Sequence, residues 1–169
     1  MTIHGEGEVT IPGVSPQEVF DFVVDPVQYT KADTKMVWVT KLADTPHGML
    51  AREEGRFLGR FRGSVVTRYR WEVPQRIDVT LEHGVPEGLH AWFEIDEVPG
   101  GVRLHHVEEM TFGHGIAGRL YDLVAQAWFA RAVAAEVAEI GRLLTSGERG
   151  RGLAAHDPAT STGHPQDGQ

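Results

Sequence analysis

The chain has 169 residues, 41% of them hydrophobic, enough for one domain with a full core. Sixteen basic residues against twenty-four acidic give a formal net charge of -8, which works against nucleic acid as a partner, and the lack of cysteine excludes disulfides, thiolate nucleophiles and cysteine-type zinc sites. The opening "MTIHGEGEV" shows no basic segment leading into an apolar run, and the longest apolar tract, 120–140, is broken by Asp122, Gln126, Arg131, Glu136 and Glu139. A cytoplasmic protein with no stable membrane insertion is expected.

In chain order, "GEGEVTIPG" alternates as a half-buried strand and stops at Pro12-Gly13. Ser15 as cap, Pro16 at the first helical position and Glu18 completing a capping box start a short helix whose apolar side is Val19, Phe20, Phe22 and Val23. "DPVQYTKAD" gives a second brief helix or turn. Six segments of strand character follow between turn signals: "KMVWVTKL", "MLAREEGRFLG", "RFRGSVVTRYRWEV", "RIDVTLEHG", "LHAWFEIDEV" and "VRLHHVEEMTF". They predict an antiparallel meander. From Ile116 to about Thr145 there is no proline and only two glycines, Gly118 and Gly141, so one helix of about eight turns closes the domain. Domain limits of 1–146 follow, with 147–169, rich in Gly, Pro, Ser, Thr and charge, expected as a disordered tail.

The predicted fold class is α+β: a curved antiparallel sheet of about seven strands wrapped around a long C-terminal helix, with two short helices after the first strand. A cavity is expected where the sheet curves away from the helix. "SPQEVFDFVVDPVQY", "LGRFRGSVVTRYRWEVPQRIDV" and "GGVRLHHVEEMTFG" resemble the START-like, Bet v 1-like superfamily (SRPBCC), which groups polyketide cyclase/dehydrase and lipid transport proteins, over about residues 3–145. The resemblance implies a helix-grip fold. It does not fix an activity, because carriers, cyclases and partner-binding modules share that fold.

Alternation along Val102–Phe112 places Val102, Leu104, His106, Glu108, Met110 and Phe112 on the core face and His105 and Glu109 on the other. His106 and Glu108 thus need partners among apolar neighbours, either each other, nearby groups or a ligand. Two donors on one strand are too few for a catalytic zinc and the sequence signals no third, so neither metal nor cofactor is expected. Gly113 to Gly118 matches a dinucleotide-binding glycine pattern, but no parallel strand follows the helix, and a tight reversal explains the glycines better.

The strand Arg60–Trp71 turns Phe61, Val65 and Tyr69 inward and an arginine stripe outward, expected to pair with acidic side chains of neighbouring strands. Phe93 also falls on an inward face, while Trp92 beside His90 points out and hints at an interface such as a homodimer. Steps of three and four along the last helix put Leu120, Val124, Ala127, Arg131, Ala134 or Ala135, and Ala138 toward the sheet, with Trp128 also facing the pocket. Arg131 would then need a carboxylate, a ligand anion or a path to water.

The expected function is binding of a small, largely hydrophobic or aromatic molecule between sheet and helix. Its ligand set is Phe61, Val65, Tyr69, Phe93, His106, Glu108, Met110, Val124, Trp128 and Arg131, with no catalytic residue assigned. A polyketide cyclase/dehydratase-type enzyme using the same cavity is the first alternative, with His106 or Glu108 moving a proton. A protein-interaction module read through Trp92 or the arginine stripe is the second.

Overall fold

The structure is a computed structural model and describes residues 1–113 and 119–147, with side chains of the final helix from 124 onward. The tail expected from 147 and the glycine run from 114 to 118 lie, apart from Gly147, outside the described residues. The elements are β1 (Thr2–Pro12), α1 (Pro16–Val24), α2 (Pro26–Ala32), β2 (Met36–Thr45), β3 (Gly48–Phe57), β4 (Phe61–Glu72), β5 (Arg76–Gly84), β6 (Gly88–Val98), β7 (Gly101–Thr111) and α3 (Arg119–Thr145).

One seven-stranded antiparallel sheet runs in the order β1-β7-β6-β5-β4-β3-β2. The meander β2 to β7 is the one its turns predict, and β1 joins it by pairing with β7, Thr2 opposite Thr111 and Pro12 opposite Gly101. Local chemistry sets the helix starts. Ser15 accepts from the Glu18 amide while Glu18 returns a bond to the Ser15 amide, and Pro16 follows. Asp25 caps α2 by accepting from the amides of Val27 and Gln28.

α3 lies along β1, and two glycines allow it to come so close. A Cβ on Gly5 would sit 2.5 Å from Val133 Cγ2, and one on Gly7 would sit 2.9 Å from Val137 Cγ2 and 3.1 Å from the Ala134 backbone. The Gln126 side-chain amide binds the β1 backbone at His4, donating to its carbonyl at 2.7 Å and accepting from its N–H at 2.9 Å. The helix thereby satisfies part of the β1 edge, which no other strand among the described residues pairs.

The face that α3 presents to the sheet differs from the expected one. Ala125, Phe129, Ala132, Val133, Glu136, Val137, Ile140, Leu143 and Leu144 are buried, whereas Val124, Ala127, Arg131, Ala134, Ala135 and Ala138 are exposed. Alanine is indifferent to either side of a helix, so the expected stripe rested on two large residues near the start, Leu120 and Val124. The larger side chains further along, Phe129, Val133, Val137, Ile140 and Leu144, define the stripe that packs.

The core falls into two clusters. The larger joins Ile11, Phe20, Phe22, Ile77, Phe93, Ile95 and Leu104 to Val137, Ile140, Leu143 and Leu144 of α3. The smaller joins Ile3 to Ala125, Phe129 and Val133, with Phe57, Met110, Phe112 and Trp128 packed against it. Glu136 falls between their two stretches of helix.

Candidate functional site

A cavity of about 580 Å3 opens beside the smaller cluster. Its walls come from the end of β3 and the start of β4, from Gly84 to Pro86, from Leu89 on β6, from Met110 and Phe112 near the end of β7, and from Trp128 and Phe129 on α3. Phe57 is the hub of its aromatic side, with ring centroids 5.2 Å from both Phe112 and Trp128. Phe61, 46% exposed, stands at the rim. Asp33, Lys35, Glu53 and Glu108 supply a polar end to a largely apolar space.

That polar end belongs to a buried network built around Glu136, which is fully buried on α3. Tyr29 of α2 donates its hydroxyl to Glu136 Oε1, and Lys35 donates to Oε2. Lys35 Nζ is also 3.2 Å from Asp33 Oδ1 and 3.2 Å from Glu108 Oε2. Burial works to lower the Lys35 pKa, but Asp33, Glu108 and Glu136 outweigh it and hold the ammonium well above its ordinary value. Burial raises Glu108 to about 7 against the opposing pull of Lys35, and raises Asp33 in the same way. A second branch lies under β3 and β4, where Thr67 and Tyr69 each donate to Glu53 Oε1 at 2.6 Å. Burial pushes that carboxyl up despite the two hydrogen bonds.

His106 is 1% exposed and stacked on Phe93, the rings 3.8 Å apart and 2° from parallel. Its Nδ1 lies 2.9 Å from the Trp92 carbonyl, which can only accept, so Nδ1 carries the proton and Nε2 presents a lone pair. Nε2 has no hydrogen-bond partner and faces Glu136 Oε1 at 3.5 Å. Burial, then the Lys35 ammonium, push the His106 pKa down to about 3, so the ring is neutral at ordinary pH. Donor atoms of His106, Glu108 and Glu136 all lie within 4.8 Å of one another, the arrangement among the described residues that could hold a metal ion.

Of the residues expected to contact a ligand, Phe61, Val65, Glu108, Met110 and Trp128 line the cavity. His106, Phe93 and Tyr69 lie behind the polar wall rather than on it, with Tyr69 engaged by Glu53 and Phe93 by His106. Val124 is 53% exposed and Arg131 is exposed, so neither reaches the cavity or the His106–Glu108 pair, because the helix is turned away from the expected phase. Lys35 holds the position foreseen for Arg131, and Glu136 supplies the third donor missing from the sequence reading. The stripe of large residues 129, 133, 137 and 140 was the signal for Glu136, since it stands within that face. Lys35 carried no such signal, being one lysine in a short polar connection. On the outer face His105 is held between Glu94 and Glu6, and Arg68 pairs with Glu82, as expected of that side of the sheet.

No protein-family model matches the chain, and no curated protein matches it in sequence. Its fold does match solved structures. The Zhui aromatase/cyclase from Streptomyces sp. R1128 superposes with a TM-score of 0.73 at 14% identity, covering 90% of this chain and 99% of that one. TTHA0849 from Thermus thermophilus gives 0.73 at 12% identity, covering 86% and 98%. A START superfamily protein from Mycobacterium smegmatis gives 0.63 at 16%, covering 84% and 98%. The chain has the START/Bet v 1-like, helix-grip fold. No helix among the described residues is long and apolar enough to cross a membrane.

Proposed function

We propose that the protein binds a small, largely apolar molecule in the cavity between β3, β4, β7 and the first half of α3. The observation that carries this reading is the cavity itself: about 580 Å3, walled by Phe57, Phe61, Val65, Leu89, Met110 and Trp128, a volume and lining typical of small-molecule sites. Asp33, Glu53 and Glu108 at its end favour a ligand carrying a hydrogen-bond donor at one extremity. A neutral fluorescent probe, N-phenyl-1-naphthylamine, is expected to bind with a dissociation constant on the order of 1–10 µM. Val65→Trp fills the space from a half-buried wall position and is expected to weaken binding at least tenfold while the far-ultraviolet circular dichroism stays unchanged. Equal affinity in the two proteins would move the site elsewhere.

One observation favours a second reading, an enzyme of cyclase or dehydratase type. Glu108 meets the cavity with its pKa pushed up to about 7, where a carboxyl can both give and take a proton near neutral pH. Under this reading Glu108→Gln abolishes turnover of a polyketide-like substrate and leaves probe affinity within about twofold. Turnover surviving in that variant would remove the proton-transfer role.

A further inference from the structure

His106 Nε2 is an unusual atom in this core. It is buried, holds a lone pair fixed by the Nδ1 bond to Trp92, and has no donor to receive. A buried acceptor left unpaired costs about 1–3 kcal/mol, so a native core retains one where something else meets it. Carboxyl oxygens lie close to it: Glu136 Oε1 at 3.5 Å, with a Glu108 oxygen in the same cluster. A lone pair directed at carboxylates, on an imidazole anchored through its other nitrogen to a backbone carbonyl, is the donor arrangement that cations take.

The charges point the same way. Three buried carboxyl groups, Asp33, Glu108 and Glu136, surround one ammonium, and ionising all three leaves an excess of negative charge that is expensive to bury. If a divalent ion took Glu108 and Glu136 while Lys35 kept Asp33, each group would be neutral. We propose that His106, Glu108 and Glu136 form a divalent-metal site, the ion displacing the Lys35 ammonium from the two glutamates and leaving it on Asp33. One imidazole and two carboxylates suit Zn2+, Co2+, Mn2+ or Fe2+ better than Mg2+ or Ca2+, which favour all-oxygen sets. Glu108 also lines the cavity, which provides a route for the ion from solvent. The site does not depend on whether an apolar molecule occupies that cavity.

The test uses the full chain after dialysis against a chelator, titrated with Zn2+ alone by calorimetry and with Co2+ by visible absorption. One equivalent should bind at micromolar concentration or below, raise the melting temperature, and give Co2+ the d–d bands of a site with few ligands. Glu108→Gln, which keeps shape, should weaken Zn2+ at least tenfold, and His106→Leu at least a hundredfold. His105→Gln removes a histidine from the outer face, where it sits between Glu6 and Glu94, and should change nothing. Because His106→Leu could perturb the core, nitrogen-15 spectra of the wild-type imidazoles provide an independent reading, in which Zn2+ should shift His106 Nε2 strongly. The proposal is overturned if Zn2+ up to about 1 mM neither binds nor stabilises. It is equally overturned if the imidazoles that shift belong to surface histidines such as His4 and His105 while His106 stays unmoved, or if affinity is the same in Glu108→Gln.

Discussion

The Lys35 ammonium and the Glu136 carboxylate, 101 positions apart in the chain, are in direct contact at the centre of the molecule. Lys35 comes from the short connection between α2 and β2 and Glu136 from the middle of α3, so the pair ties the closing helix to the connection that leads into β2. The two partners are not equivalent. Lys35 is the single cation among three carboxylates, whereas Glu136 is one of three anions.

That asymmetry has a measurable consequence. Lys35→Met strands three buried carboxylates and should cost about 3–5 kcal/mol. Glu136→Gln keeps an acceptor for Tyr29 and leaves Lys35 with Asp33 and Glu108, and should cost less than about 2 kcal/mol. Urea unfolding of both variants decides the matter. A Glu136→Gln loss as large as that of Lys35→Met would mean that the network is not held by its one cation.

Helix phase is tested by a pair of substitutions on α3. Phe129→Ala removes a fully buried ring and should cost about 3–5 kcal/mol. Arg131→Ala changes an exposed side chain two residues away and should leave the melting temperature unchanged within error. Comparable losses in both would reinstate an inward Arg131.

Close approach of α3 to β1 predicts that Gly7 tolerates no side chain. Gly7→Val forces atoms against Val137 and the Ala134 backbone, and overpacking of this kind costs about 1–3 kcal/mol. A calorimetric melting temperature equal to that of the wild type would contradict the helix position.

Glu108 makes stability depend on pH with a definite sign. It faces Lys35 and Asp33 from the segment before β2, Glu136 from α3 and His106 on its own strand. Its folded pKa, about 7, lies above the ordinary 4.5, so between those values the folded protein holds a proton that the unfolded chain has lost, and stability falls as pH rises. His106 acts oppositely: lowered from 6.5 to about 3, it makes stability rise with pH across that window. The two partly cancel in the wild type. Glu108→Gln removes one of them, so its stability relative to wild type should increase steadily from pH 4.5 to 7 and level off above. Chemical denaturation at several pH values measures this difference, and a pH-independent offset would refute the assignment.

The sheet was legible because its information is local. Each strand alternates, and pairs such as Pro99-Gly100 mark where one stops. Alternation alone put His106 and Glu108 on the inner face, where the structure has them. The phase of α3 was harder to see, since an alanine-rich helix offers little contrast between its sides and a stripe begun at Leu120 and Val124 can be followed past Arg131. The partners of His106 and Glu108 were only half visible. Glu136 stands within the stripe of large residues that packs, whereas Lys35 looks like an ordinary surface residue until the helix closes over the sheet and brings the two together. Tyr69 illustrates the same limit: its inward direction was correct, but its hydroxyl is taken by Glu53 from the adjoining strand.

The division of the core by Glu136 sets where the molecule can open. Beyond it, Val137 to Leu144 are fastened into the larger cluster with β5, β6 and β7; before it, Ala125 to Val133 rest on Ile3 and the rim of the cavity. The two halves of one helix therefore rest on clusters of unequal size, and amide protons of 125–133 are expected to exchange through partial openings while those of 137–144 wait for global unfolding. Under the binding reading proposed above, loosening of the first half is the expected way in, and the buried charges at Glu136 mark where that loosening should stop.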